Sequence, residues 1–136
     1  MPDPVVLFAT IILLVPMGYF LLASPAFLLV KLDIPQVARL LRGMFNAYFL
    51  ATAIAGVIAM AAFAVTGRLA FAIGIGLIAA FAFSARRWFL RQMDAQISAG
   101  DADAARRLRR LHWGGMLSNA VQVAAIVVSI PYIAPA

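Results

Sequence analysis

The chain contains no cysteine and a single histidine, His112. The first absence excludes disulfides, thiolate metal sites and cysteine nucleophiles. The second excludes a multi-histidine metal cage or a bis-histidine haem within one copy of the chain. Acidic residues are also few, five against eleven basic ones. None of them falls inside the long uncharged runs described below. Carboxylate acid–base catalysis or a di-iron carboxylate centre therefore lacks its ligands there. A serine hydrolase would lack the acid that orients its histidine. No catalytic set and no metal set is expected.

What the chain has in quantity is apolar side chains. They make up 65% of the 136 residues, and mean hydropathy is +1.01. A soluble domain is about 45–50% apolar, so this chain in water would expose more apolar surface than it could bury. Lipid as the solvent removes the conflict. Uncharged stretches mark four spans: 4–30, 43–67, 69–85 and 111–136. A helix needs about 20 apolar residues to cross the hydrocarbon core. The third stretch is short, but Trp88, Phe89 and Leu90 extend it past Arg86 and Arg87, which can snorkel. The expected fold is all-α, an integral membrane four-helix bundle forming a single domain over 1–136. The spans fall near 4–30, 43–67, 69–90 and 111–130.

The first span does not read as a signal peptide, because no Lys or Arg precedes position 31. Pro16 and Pro25 are expected to make this helix irregular. Asp33 is expected to cap a helix that holds Pro35 in its first turn and runs into the second span. Residues 98–101 read as a turn, with Asp101 or Ser98 capping the last helix and Asp103 reaching Arg106 and Arg107. Pro131 is expected to end that helix. A helix over 101–130 is roughly 45 Å long at about 1.5 Å per residue. Its first turns must then stand outside the hydrocarbon core.

Charge fixes an orientation. The first and third connections carry Lys31, Arg39, Arg42, Arg86, Arg87, Arg91, Arg106, Arg107, Arg109 and Arg110, against Arg68 alone in the second. The positive-inside rule puts both basic loops in the cytoplasm and both termini on the other side, as in a bacterial-type inner membrane. The net charge of +6 could suggest nucleic acid. Its placement beside apolar runs instead points to a bilayer with anionic headgroups as the partner. The segments 38–42 (Ala-Arg-Leu-Leu-Arg) and 105–109 (Ala-Arg-Arg-Leu-Arg) are similar and lie half a chain apart. Two related helical hairpins or chance would both account for this.

The last span keeps polar groups. At 100° per residue, Leu108, His112, Gly115, Asn119, Gln122, Ile126 and Ser129 form one seam with alternating spacings of four and three. Arg106, Arg107, Arg109 and Arg110 occupy the opposite arc. An unpaired amide in hydrocarbon costs several kcal/mol, so Asn119 and Gln122 are expected to find partners inside the bundle. Asn46, Tyr48 and Thr52 on the second span, Ser84 on the third and Ser24 on the first are the available partners. Ala47, Ala51, Ala55 and Ala59, with Gly74 and Gly76, are expected to let helices approach closely. Two readings of the seam stand side by side. In one it is interhelical glue. In the other, His112, Asn119, Gln122, Asn46 and Tyr48 line a small polar ligand cavity that opens to the cytoplasm, with His112 at its mouth. A soft-metal variant would use His112, Met116 and Met44, although methionine also fills gaps in apolar packing. No cofactor is assigned.

Two stretches carry a family resemblance. Phe45–Asn46–Ala47–Tyr48–Phe49 resembles the Phe-Pro-x-Tyr segment of a family of small four-span membrane proteins. That family comprises human transmembrane protein two-hundred-and-five and its bacterial domain-of-unknown-function relatives. His112 followed seven residues later by Asn119 resembles its His-Gly…Asn signature in the last span. Asn46 stands where the family often has proline, and Trp113 intervenes between His112 and Gly114. The resemblance implies a four-helix bundle and brings no settled activity with it. The expected function is a non-enzymatic inner-membrane bundle, either a homo-oligomer or a subunit of a membrane complex. The alternatives are a small transporter or ligand-binding protein and a cofactor-dependent membrane oxidoreductase.

Overall fold

The computed structural model describes residues 4–32, 34–101 and 103–133. All regular structure among them is helical. The helices are α1 (Pro4–Ala23), a 3-10 turn (Ser24–Leu28), α2 (Pro35–Val65), α3 (Leu69–Ala99) and α4 (Ala104–Ile133). Four segments are long and apolar enough to cross a membrane, as expected from the four uncharged stretches. Each helix packs on the next in sequence, and α4 closes the ring against α1. The arrangement is compatible with a four-helix membrane bundle.

The buried positions explain the packing. On α1 and the 3-10 turn that continues it they include Val6, Thr10, Leu13, Met17, Phe20 and Ser24. On α2 they include Ala38, Leu41, Phe45, Tyr48, Thr52, Ala55 and Ala59. Both sets alternate steps of three and four, the spacing that keeps one stripe of a helix against its neighbours in left-handed packing. On α4, Leu108, His112, Gly115, Asn119 and Ile126 are buried, while Gln122 and Ser129 are half-buried. The seam expected on the last helix is therefore present and loosens toward its C-terminal end.

The most extensive packing joins α2 to α3. A Cβ added at Gly56 would lie 2.9 Å from the Ala79 Cβ and 3.3 Å from its Cα. Only a glycine lets the two backbones come this close. At Gly76 an added Cβ would meet only the flexible thioether of Met60, not backbone. Of the alanine strip expected on helix two, Ala55 and Ala59 are buried, but Ala47 and Ala51 are exposed. Gly74 is exposed too, with open space where a side chain would stand. The interface follows the seven-residue stripe, which a straight i+4 row leaves after two turns.

Helix ends show what the prolines and glycines do. Pro16 lies inside α1, and Pro25 sits at the start of the 3-10 turn that follows it. The α2 helix begins at Pro35 with Ile34 as its cap and no side-chain bond. The capping role expected of Asp33 falls outside the described residues. After α2, Gly67 takes φ +80°. Its N–H bonds the Ala64 carbonyl, and the Arg68 N–H bonds the Phe63 carbonyl. These two bonds are a Schellman motif, which requires a left-handed residue at that point. The turn between α3 and α4 starts later than expected. Ser98 is still helical, and Gly100, at φ +61°, ends α3. Pro131 does not end α4, which continues to Ile133. Its missing N–H falls in the last turn, where the helix loses one bond without breaking.

The expected arc of four arginines divides. Arg106 and Arg110 are exposed, while Arg107 and Arg109 are half-buried and bond protein groups. Arg109 donates to the Leu28 and Val30 carbonyls at 3.2 and 3.3 Å. The Arg107 Nη2 donates to both Asp101 carboxylate oxygens at 2.7 and 2.8 Å, and its Nε donates to the Gln96 side-chain oxygen. Asp101, not Asp103, is thus its carboxylate partner. Arg42 pairs with Asp94 and ties α2 to α3.

Two tests follow from this packing. Gly56→Leu is expected to cost about 1–3 kcal/mol through overpacking and to lower the thermal unfolding midpoint in detergent. Gly43→Leu, with nothing within 4 Å of its Cβ, should leave the midpoint in place. Equal midpoints for the two variants would contradict the close approach. The second test is of pH. The Arg107 hydrogen bond holds the Asp101 carboxyl below its ordinary value of 3.8. A depressed carboxylate contributes fully above its ordinary range and loses that contribution as pH falls through the lowered value. Protection of the Asp103 amide, taken relative to its intrinsic exchange rate at each pH, should therefore persist at mildly acidic pH and fall only below the usual carboxylate range. A loss of protection beginning near neutrality would refute it.

Candidate functional site

At the middle of the seam, Asn119 lies at the junction of α1, α2 and α4. Asn119 is fully buried. Its Oδ1 accepts a 2.9 Å hydrogen bond from the Tyr48 hydroxyl on α2. Its Nδ2 donates to the Met17 carbonyl on α1 at 3.1 Å. One amide thereby links three helices. An amide has one acceptor and one donor group, and both are used. The Tyr48 ring stacks on Phe20 with centroids 4.1 Å apart, which fixes the direction of its hydroxyl. Phe45, Phe49 and Phe89 continue the aromatic layer through α2 to α3.

His112 lies two turns nearer the basic end on the same stripe and is also fully buried. It is not at the mouth of a cavity. Its Nε2 lies 2.6 Å from the Ser24 Oγ, and the edges of Phe27 and Phe45 enclose it. Its Nδ1 is buried without a partner among the described residues. Buried N–H groups are orphaned more rarely than buried acceptors. That favours the tautomer in which Nε2–H donates to Ser24 and Nδ1 is a bare acceptor. A serine beside an imidazole is two-thirds of a nucleophilic triad. Here no carboxylate bonds the second ring nitrogen among the described residues, and the serine is itself fully buried. The pair acts as a second tie between α1 and α4. It depends on the 3-10 turn, which carries Ser24 inward where α1 ends.

Of the five residues expected to share a site, the structure pairs Tyr48 with Asn119, while His112 stands two turns away beside Ser24. Asn46 faces elsewhere and accepts a 2.8 Å hydrogen bond from the Arg86 Nε on α3. Gln122 bonds Ser118 on its own helix at 3.3 Å. Ser24, one of the candidate partners offered by the sequence, meets His112 and not an amide. Ser84 is exposed. Thr52 is buried, with its hydroxyl unpartnered among the described residues. The space beside the cluster is an apolar groove of about 220 Å³ between α1 and α4. Phe20, Leu21, Trp113, Met116 and Leu117 line it, with Ser24 and Asn119 as its polar wall. It opens sideways between helices. Met116 is part of this lining, and among the described residues no three His, Cys, Asp or Glu side chains are grouped as a metal site.

No family model, curated protein or solved structure matches this chain.

The junction predicts non-additive energetics. Tyr48→Phe and Asn119→Leu each leave a buried polar partner unpaired, at about 1–3 kcal/mol. The double variant removes both partners and should cost less than the sum, with a coupling of about 0.6–2 kcal/mol. Unfolding titrations of the four proteins in mixed micelles measure it. Strict additivity would mean that the 2.9 Å bond contributes nothing.

Proposed function

We propose that this protein is a non-enzymatic inner-membrane bundle that works through other membrane chains, as a homo-oligomer or as a subunit of a complex. The observation that carries this reading is the spending of the interior polar groups on one another. Asn119, Tyr48 and the Met17 carbonyl satisfy each other, and Ser24 meets His112. Of this cluster, the His112 Nδ1 alone is left without a partner among the described residues, and it is fully buried. Outward, Phe8, Val15, Leu117, Val121 and Val128 are each more than 60% exposed. Such surface suits acyl chains or a neighbouring apolar helix. The basic first and third connections support a cytoplasmic placement of that end, with the termini opposite. The resemblance carried by residues 45–49 and by His112 and Asn119 supports the same plan of a small four-span bundle.

A second reading has its own observation. The groove between α1 and α4 places Ser24 and Asn119 against about 220 Å³ of apolar space. That shape suits a small apolar ligand entering from the bilayer, in place of the polar cavity expected from sequence.

Crosslinking in native membranes, followed by mass measurement, separates the two. Association predicts discrete species above the 14.6 kDa chain, formed with itself or with fixed partners. A strictly monomeric chain would overturn the first reading in favour of the second.

A further inference from the structure

A different surface carries a more specific inference, which rests on the membrane placement above but not on the association. At the basic end, α3 and α4 part around a groove of about 430 Å³. Trp88, Gln92, Arg107, Arg110, Leu111 and Gly114 are among its walls. Directly beyond it lies a second groove of about 500 Å³ between the same helices, walled by Leu77, Phe81, Leu117 and Val121. Gly114 lines both, so the two form one furrow. Its upper part is basic and its lower part apolar.

The furrow has the dimensions of half a bilayer. From Arg110 to Val121 along α4 is roughly 16 Å at the helical rise. The hydrocarbon core of one leaflet is about half of 30 Å. Arg110 is exposed and has no hydrogen-bond partner among the described residues, whereas Arg107 is held by Asp101 and Gln96. Trp88, half-exposed beside them, has the amphipathic ring that settles at headgroup level. Lower down the wall is apolar apart from Ser118 and Gln122, where the Gln122 amide donates to the Ser118 hydroxyl.

We infer that this furrow binds one anionic phospholipid. Arg110 meets the headgroup phosphate, and an acyl chain lies over Gly114 toward Leu117 and Val121. The charge selects the occupant. A neutral apolar helix from another chain would leave Arg110 unpaired, whereas a phosphate bonds it bidentately. Basic pockets between membrane helices recognise anionic headgroups by this chemistry.

Gly114 makes the test clean, because a Cβ there meets nothing within 4 Å. Gly114→Leu therefore extends into the open space of the furrow and is expected to occupy it. The full chain, purified in detergent, is mixed with dioleoyl phosphatidylglycerol or dioleoyl phosphatidylcholine, and retained lipid is counted by native mass spectrometry. One phosphatidylglycerol per chain should be retained in preference to phosphatidylcholine. Arg110→Gln should lower that retention about fivefold, the effect of one basic residue at an anionic surface. Gly114→Leu should lower it at least as much. Arg39→Gln and Gly43→Leu, at exposed positions on α2, should not, and all four should keep the parent's unfolding midpoint. Equal retention of the two lipids would overturn the inference. So would an Arg39→Gln effect as large as that of Arg110→Gln, which would mean diffuse attraction. A Gly114→Leu protein that loses crosslinked species but keeps its lipid would assign the furrow to a second chain instead.

Discussion

Asn119 joins three helices because an amide in an apolar interior must satisfy a donor and an acceptor at once. Its oxygen takes the Tyr48 hydroxyl and its nitrogen gives to the Met17 carbonyl. Lipid tails are as apolar as leucine, so the hydrophobic effect does little to choose between alternative helix pairings in a bilayer. Directional bonds and close steric fit make that choice. The amide sets the angular position of α4 against α1 and α2, and the stacked Phe20 and Tyr48 rings hold the receiving hydroxyl in place. The Ser24–His112 contact repeats the tie two turns away, which fixes the direction of α4 as well as its rotation.

The remaining contacts divide by depth. Around the middle, small residues let α2 and α3 come together, as at Gly56 and Ala79. At the basic end, arginines do the joining. Arg42 reaches Asp94, Arg86 reaches Asn46, Arg107 reaches Asp101, and Arg109 reaches the carbonyls after the 3-10 turn. Exposed ion pairs contribute little individually. Together they draw four helix ends to one another while Arg39, Arg87, Arg91, Arg106 and Arg110 remain exposed. Charge that would otherwise repel is thereby divided between structure and surface.

Much of this was legible in the sequence. Apolar runs fixed the number of helices, and the phase of the last helix placed His112 and Asn119 inside. Both depend on periodicity, which is a property of one helix. Pairings between helices were less legible. Asn46 and Tyr48 are two residues apart on α2 and so face different neighbours, but nothing local tells which meets Asn119 and which meets an arginine. Gln122 shares the phase of Asn119, yet it sits where α3 and α4 have parted, so its amide turns to Ser118 on its own helix. The interruption at Pro25 was foreseeable. That it would swing Ser24 into contact with a residue 88 positions away was not, because the 3-10 geometry and the path of α4 decide it jointly.

The junction also has a consequence for biogenesis. Synthesis delivers Met17 and Tyr48 to the bilayer well before the helix bearing Asn119 emerges. Until then the phenol hydroxyl sits in hydrocarbon without its acceptor. The Ser24 hydroxyl waits in the same way for His112. A nascent chain of three helices thus carries two hydroxyls whose partners arrive together on the fourth.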